Sequence, residues 1–195
     1  MNICVYGAAS NTISQEAIKK TEELGAEMAK RGHTLVFGGG ANGMMGASAR
    51  GVYNGGGKIV GVAPRFFDAD GTFFEPCSEF IFCDTMRERK QLLESNSDAF
   101  IVTPGGIGTF DEFFEILTLR SLGRHTKAIA VYNIFGYFNP LIELLDNMVS
   151  GGYMKPTVKE VIGFYDNPSD ILNFVENYKG EVMTAFDAKQ IEKEN

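Results

Sequence analysis

The sequence predicts an α/β fold in which helices cover both faces of a parallel sheet. Short apolar runs alternate along the chain with segments whose apolar residues recur at helical spacing, and glycine-rich turns follow several of these runs. The chain has 195 residues, of which 44% are hydrophobic and 22% are charged. This composition suits one globular domain with a full core.

The elements can be placed along the chain in order. Strands are expected at residues 2–6, 34–37, 58–62, 79–83, 99–102 and 128–132, with a short seventh near residues 161–165. After the first strand, Ala17, Thr21, Leu24 and Met28 recur at helical spacing, and Gly32 ends that helix. Further helices are expected at residues 43–54, 85–96, 109–121, 139–150 and 168–178. We therefore expect a single-domain, Rossmann-like, doubly wound parallel sheet over residues 1–178 and a polar, fraying tail at residues 179–195.

The segment after the strand at residues 99–102 is the strongest candidate for a ligand site. It reads PGGIGTFDE over residues 104–112 and opens a helical pattern. Glycines let the backbone approach a ligand, and the free N–H groups and positive end of a helix attract an anion, typically phosphate. The spacing matches neither a P-loop nor the dinucleotide fingerprint. A second run, GGGANGMMG, occupies residues 38–46, and a plain strand-to-helix turn is the alternative explanation of either run.

Several of these segments follow the ends of strands. They are Ser10, residues 38–46, residues 105–109 and the start of the helix at Thr85. Ligands of such sheets bind at the carboxyl ends of the strands. The sequence therefore predicts one site at that edge.

Two interpretations of Glu112 are open. Thr109-x-x-Glu112 fits a capping box, in which Glu112 would only start a helix. Alternatively, Glu112 is a functional carboxylate, and its pKa is then expected to be lowered because the helix start and the nearby cations favour the charged form. We interpret Asp111 and Glu115 as a complement to the helix dipole and as solvated surface groups.

A second capping box, Thr85-x-x-Glu88, sets the register of the helix that carries Arg89 and Lys90. It places these two cations near the apolar face that also carries Met86. Cations on such a face either serve a site, extend past the core to solvent or pair with nearby acids.

Charge and residue types exclude several classes of function. A net charge of −7 argues against nonspecific binding to nucleic acid, which needs a basic surface. Cys4, Cys77 and Cys83 form no Cys-x-x-Cys pair, so reduced thiols are expected. His33 and His125 lack a second metal ligand at a recognisable spacing, and we interpret them as structural. The chain begins directly with a strand and contains no stretch of about 18 apolar residues, so we expect a cytoplasmic protein that does not bind membranes.

Three motifs in the same order carry a family resemblance. PGGxGTxxE at residues 104–112, the glycine-rich run at residues 38–46 and MRERK at residues 86–90 resemble the Lonely Guy family, whose members are cytokinin riboside 5′-monophosphate phosphoribohydrolases and are often mislabelled lysine decarboxylases. The resemblance covers residues 2–178. It implies hydrolysis of the N-glycosidic bond of a purine nucleoside 5′-monophosphate, which releases the free base and ribose 5-phosphate.

The same resemblance implies no metal or organic cofactor, and nothing in the sequence indicates the pyridoxal phosphate lysine that a decarboxylase would need. It also implies a homodimer or a higher even-numbered assembly. Two alternatives stay open. The chain could be a non-catalytic carrier or sensor of a nucleotide or of the molybdenum cofactor, and its substrate could be AMP or a prenylated adenine nucleotide.

The resemblance also assigns site residues. It implies that Arg89 and Glu112 are catalytic. The substrate contacts that it implies are Ser10, Gly39, Gly43, Met44, Lys90, Gly105, Gly106, Ile107, Gly108, Thr109 and Thr118. The chain departs from the family pattern where Arg87 replaces a usual histidine and where Ala8 and Ala9 replace a glycine and a serine.

Four phenylalanines, Phe66, Phe67, Phe73 and Phe74, crowd a loop after Pro64. We expect them to be buried against the sheet or a partner subunit. The alternative is that some of them line the pocket for the base.

Overall fold

The computed structural model of the protein describes residues 1–67 and 72–183. The strands in these residues are β1 (Asn2–Tyr6), β2 (Thr34–Phe37), β3 (Lys58–Pro64), β4 (Glu79–Cys83), β5 (Ala99–Val102), β6 (Ala128–Tyr132) and β7 (Ile162–Tyr165). The helices are α1 (Gln15–Lys30), α2 (Gly43–Asn54), α3 (Met86–Ser95), α4 (Ile107–Ser121), α5 (Asn139–Ser150), α6 (Pro156–Glu160) and α7 (Pro168–Asn177).

The seven strands form one parallel sheet in the order β4-β3-β2-β1-β5-β6-β7. Strand β1 lies at the centre, where Ile3 is in register with Leu35 of β2 on one side and with Ala99 of β5 on the other. The chain winds outward from β1 in one direction and from β5 in the other. The segments that follow β1 and β5 therefore separate and leave a crevice at the carboxyl edge.

Each face of the sheet packs against its own layer of helices. Ile3 and Val5 of β1 belong to one core cluster, which α1, α2 and α7 cover, whereas Cys4 and Tyr6 belong to a second cluster with α3, α4, α5 and α6. Successive side chains of a strand point to opposite faces, so a sheet covered on both sides needs continuous apolar strands. The predicted fold class is confirmed.

Most of the predicted elements are confirmed, and the differences have local causes. Helix α4 begins at Ile107, two residues before the predicted start, because Gly106 serves as its N-cap. Helix α6 is not among the predicted helices, although Pro156 occupies a favourable position in its first turn. Strand β3 extends to Pro64. Of the polar tail that the sequence predicts, residues 184–195 lie outside the described residues.

Candidate active site

A cavity of about 410 Å³ opens at the crevice between β1 and β5, and we call it the glycine-loop cavity. Its lining comes from four parts of the chain: the segment from Gly7 to Ser10, Met45 of α2, three residues of α3 and the first turns of α4. These are the segments that the sequence places at the carboxyl edge of the sheet. Their predicted convergence is confirmed.

In the described part of the chain, no side chain caps the start of α4. Its N-cap is Gly106, which makes no side-chain cap. Within residues 1–67 and 72–183, the N–H groups of Ile107, Gly108 and Thr109 have no acceptor, and the first N–H of this helix that is bonded belongs to Phe110, whose acceptor is the Gly106 carbonyl oxygen 3.1 Å away. Because α4 is 15 residues long, its positive end and the N–H groups of its first turn have the charge and the donors that suit an anion.

The backbone of residues 105–108, just before and within the first turn of α4, is closely packed at one end and open to the cavity at the other. Gly106 and Gly108 have open space around them and line the cavity together with Thr109. Gly105 is buried, and a Cβ atom there would lie 2.1 Å from the hydroxyl oxygen of Thr109. Glycine is therefore required at residue 105 for packing, while the later glycines leave room for a ligand.

A buried ion pair lies beside this helix start. The Arg89 Nη1 atom donates to Glu112 Oε1 at 2.7 Å, and the two side chains are only 8% and 12% exposed. Arg89 Nε also donates to the Val62 carbonyl oxygen at 3.3 Å. A Cβ atom on Gly38 would lie 1.9 Å from Arg89 Nη2, so the guanidinium group can occupy this place only beside a glycine.

The capping-box interpretation of Glu112 is wrong. Since α4 begins at Ile107, Thr109 lies inside the helix and cannot be its N-cap. The Glu112 carboxylate instead accepts from Arg89. The second predicted capping box is confirmed: Thr85 Oγ1 accepts from the N–H of Glu88 at 3.1 Å, although the Glu88 carboxylate reaches Asp84 N–H rather than that of Thr85.

The expected direction of the Glu112 pKa is also wrong. Burial raises the pKa of Glu112 above its ordinary value of 4.5, and the Arg89 guanidinium only partly opposes this rise. The helix start and Lys90 do not reverse the direction because desolvation of the carboxylate is the largest effect. A raised pKa is typical of carboxyl groups that exchange protons during catalysis.

Lys90 lines the glycine-loop cavity, but its ammonium group is tied to two acids of α4. It donates to Asp111 Oδ2 at 3.1 Å and forms an ion pair with Glu115. The hydrogen bond to Glu115 raises the pKa of Lys90. Asp111 is 61% exposed and Glu115 is 39% exposed, as predicted for surface groups, and their ion pairs with Lys90 also join α3 to α4.

The remaining predicted contacts fall in different places. Ser10 lines the glycine-loop cavity, where its hydroxyl group lies 2.8 Å from that of Thr12. Ile107 is 89% exposed, so its contribution to an anion site is its backbone N–H. Thr118 is exposed and lies outside the lining of this cavity. It follows Glu112 by six residues, which places it on a different face of α4.

In the glycine-rich run at residues 38–46, the residue that lines the cavity is not the predicted one. Met44 is fully buried in the core and its N–H donates to the Ala8 carbonyl oxygen at 2.8 Å, so its prediction as a substrate contact is corrected. Met45, which is not among the predicted contacts, lines the cavity instead. Gly39 and Gly43 adopt positive φ angles of 80° and 61° and pack against protein atoms, so their role is to shape the loop.

A second cavity of about 450 Å³ adjoins the first, and we call it the aromatic cavity. The two cavities share Ala9, Met45 and Arg89 in their linings, and Phe67 and Phe73 line the aromatic cavity alone. The Phe73 ring packs against that of Phe80 with centroids 5.0 Å apart. The alternative that some of the loop phenylalanines line a pocket therefore describes Phe67 and Phe73.

The prediction that the four loop phenylalanines are buried against the sheet is wrong for Phe66 and Phe67, and their burial against a partner subunit stays a prediction. Phe66 is 63% exposed and Phe67 is 42% exposed, because they form a short 3-10 turn that projects beyond β3. Phe74 is partly buried against the core, as expected.

The two histidines have structural roles, as the sequence analysis predicts. His33 Nε2 lies 2.7 Å from a carboxylate oxygen of Glu176, and His125 Nε2 lies 2.9 Å from the Ile116 carbonyl oxygen. In the part of the chain that the structure describes, no group of three or more His, Cys, Asp or Glu residues is arranged to hold a metal ion. No helix in that part is both long enough and apolar enough to span a membrane.

A parallel sheet with a cavity at its switch point, a bare helix start and a buried carboxylate beside it is typical of α/β proteins that bind phosphorylated small molecules. Residues 45–175 match the family model described as "Possible lysine decarboxylase". A cytokinin riboside 5′-monophosphate phosphoribohydrolase of Mycobacterium tuberculosis is 42% identical over 170 residues, which cover 87% of this chain and 90% of that protein. One from Arabidopsis thaliana is 34% identical, with 90% and 83% covered. The chain therefore belongs to the Lonely Guy family.

Solved structures show the same fold at lower identity. The molybdenum cofactor carrier protein of Chlamydomonas reinhardtii superimposes with a TM-score of 0.69 at 19% identity, covering 91% of this chain and 96% of that one. A molybdenum cofactor binding protein from Rippkaea orientalis gives a TM-score of 0.67 at 17% identity, with 90% and 94% covered. At these identities the comparison establishes the fold alone.

Proposed function

We propose that this protein is a nucleoside 5′-monophosphate phosphoribohydrolase. It hydrolyses the N-glycosidic bond of an adenine or N6-prenyladenine nucleoside 5′-monophosphate and releases the free base and ribose 5-phosphate. The observation that carries this proposal is the buried Glu112 carboxylate, which is paired with Arg89 at 2.7 Å and lies in the same cavity as the bare start of α4. The family to which the chain belongs supports the same reaction.

The reaction requires a group that stabilises positive charge on the ribose. When the bond between C1′ and the base nitrogen breaks, the ribosyl centre becomes similar to an oxocarbenium ion, and a water oxygen then bonds to C1′. Glu112, ionised, stabilises that charge and accepts a proton from the attacking water. The base departs with its bonding electron pair and takes up a proton. Arg89 holds Glu112 in place, and its charge favours the ionised carboxylate.

The two cavities suit the two ends of such a substrate. The free N–H groups of residues 107–109 provide donors for the 5′-phosphate in the glycine-loop cavity. The aromatic cavity, with Phe67, Phe73 and Met45, offers an apolar surface for a purine and an attached prenyl group. Arg89 lines both cavities, so a nucleotide that spans them has its glycosidic bond close to the ion pair.

The test is to incubate the purified protein with AMP, with isopentenyladenosine 5′-monophosphate and with adenosine, and to identify the released bases by chromatography. Both monophosphates should be cleaved, and AMP far faster than adenosine, because the binding energy of the phosphate positions the reacting bond. Equal rates on AMP and adenosine would refute the phosphate assignment. Tight nucleotide binding without release of base would favour the carrier alternative.

The comparison of the two monophosphates also decides the substrate. We propose that the prenylated nucleotide is preferred, because its extra apolar group can be buried in the aromatic cavity. A homodimeric assembly and a cytoplasmic location are further proposals that follow from the resemblance to the family.

A further inference from the structure

The segment between β6 and α5 lies beside the start of α4 and is firmly held. The side chain of Asn133 accepts from Phe138 N–H at 2.7 Å and donates to Asn139 Oδ1 at 2.9 Å. Its backbone N–H donates to the Tyr165 carbonyl oxygen at 2.7 Å. These three hydrogen bonds restrict the backbone of the turn.

The same turn contains the only non-glycine residue with a positive φ angle in residues 1–67 and 72–183. This residue is Phe135, whose φ is 54°, and Gly136 follows with a φ of 72°. An aromatic residue rarely adopts this conformation, and such strain persists only where the surrounding structure holds it. Phe135 is itself 63% exposed, so packing of its own ring does not explain the strain. The strained turn fixes the position of Tyr137, the residue that follows Gly136.

Tyr137 reaches the loop before α4. Its hydroxyl group donates to the Gly105 carbonyl oxygen at 2.7 Å, across 32 residues of sequence. The preceding carbonyl, that of Pro104, accepts from Ala8 N–H at 3.2 Å. Both carbonyl groups at the beginning of the loop are therefore bonded to other parts of the protein, while the N–H groups of residues 107–109 have no acceptor among the residues that the structure describes.

We propose that Tyr137 is a positioning residue for the phosphate-binding loop. The peptide between Gly105 and Gly106 is flanked by two glycines, so it has few steric barriers to rotation. A rotated peptide would turn its carbonyl oxygen toward the anion and repel it. The hydroxyl group of Tyr137 holds this oxygen in place and so keeps the loop in the orientation that binds an anion. This inference rests on the proposed function, since it assigns the anion as the 5′-phosphate of the substrate.

The test compares the full-length wild-type protein with Tyr137→Phe, which keeps the ring and removes only the hydroxyl group. Tyr153→Phe is the matched control, because Tyr153 is 87% exposed and lies outside both cavities. Two quantities are measured: the affinity for ribose 5-phosphate by titration calorimetry, and kcat/KM for AMP and for adenosine. A neutral hydrogen bond changes an equilibrium constant by about fivefold. We therefore expect Tyr137→Phe to bind ribose 5-phosphate about fivefold more weakly and to lose a similar factor in kcat/KM for AMP.

Activity on adenosine, which has no phosphate, should be unchanged in Tyr137→Phe. Wild-type affinity for ribose 5-phosphate in this variant would overturn the inference, and so would an equal loss on AMP and adenosine, which indicates general loosening of the fold. The calorimetric measurement does not need turnover. If the wild-type protein binds ribose 5-phosphate without cleaving AMP, the proposed function fails while the role of Tyr137 can still be measured.

Discussion

Replacement of Glu112 by glutamine separates the catalytic role of this side chain from its structural one. Glutamine keeps the shape and an oxygen that accepts from Arg89 Nη1, but it carries no charge to stabilise the ribosyl centre and is a poor base. Loss of a general base or of a preorganised charge lowers turnover by about 10²- to 10⁴-fold. The rate of base release from AMP should fall by that factor. Glu143→Gln, at an exposed position of α5, is the control and should retain wild-type activity.

The stability of the same variant follows from the contacts of the ion pair. Exchanging a charge-assisted hydrogen bond for a neutral one costs about 1–2 kcal/mol. The absence of a buried carboxylate offsets part of this cost, because burial disfavours the charged form of Glu112. We expect the free energy of unfolding to fall by less than about 2 kcal/mol. Glu112→Ala leaves Arg89 buried without its partner and should cost about 3–5 kcal/mol.

The pH dependence of stability shows whether folding raises or lowers the pKa of Glu112. Because its pKa is raised in the folded protein, the folded state binds the proton more tightly than the unfolded chain does. The stability of the wild type relative to Glu112→Gln should therefore be greatest below the ordinary value of 4.5 and decrease as the pH rises through the raised pKa. Urea denaturation over this pH range measures the difference. A relative stability that rises with pH would refute the electrostatic argument, and near-normal AMP hydrolysis by a folded Glu112→Gln would refute the catalytic one.

Three further predictions concern assembly, titration and loop shape. Static light scattering at micromolar concentration should report a dimer or a larger even-numbered assembly, and a monomer would contradict this proposal. Burial lowers the pKa of His125 to about 4 from 6.5, so the unfolded chain binds the proton more tightly. The protein should lose stability as the pH falls through this window, and His125→Gln should lose less in parallel urea titrations. Gly43→Ala introduces a Cβ atom 2.4 Å from the Ala8 carbonyl oxygen at a φ of 61°, whereas Gly56→Ala has a φ of 72° and open space. Thermal denaturation should show a cost of about 1 kcal/mol for Gly56→Ala and a larger one for Gly43→Ala, and equal costs would refute the assigned contact.

The sequence by itself determined the layers of the fold and the edge that carries the site. The parallel strands are buried on both faces, so each of them appears in the sequence as a continuous apolar run. The glycines of residues 104–108 and the apolar strand before them are neighbours in the chain. Their combination therefore indicated an anion site at a helix start without knowledge of the packing.

Only the tertiary structure shows which groups Glu112 and Tyr137 contact. Glu112 and its partner Arg89 are 23 residues apart on two helices, and the packing of α3 against α4 determines whether they meet. Local sequence left a cap and a functional carboxylate open, and for the second it predicted a lowered pKa, because helix starts and cations are visible in sequence while burial is not. Burial raised that pKa instead. Tyr137 reaches Gly105 across 32 residues through a turn with a strained Phe135, and no local pattern encodes that contact. Contacts between segments distant in the chain depend on how every intervening element packs, and this is the information that a single sequence lacks.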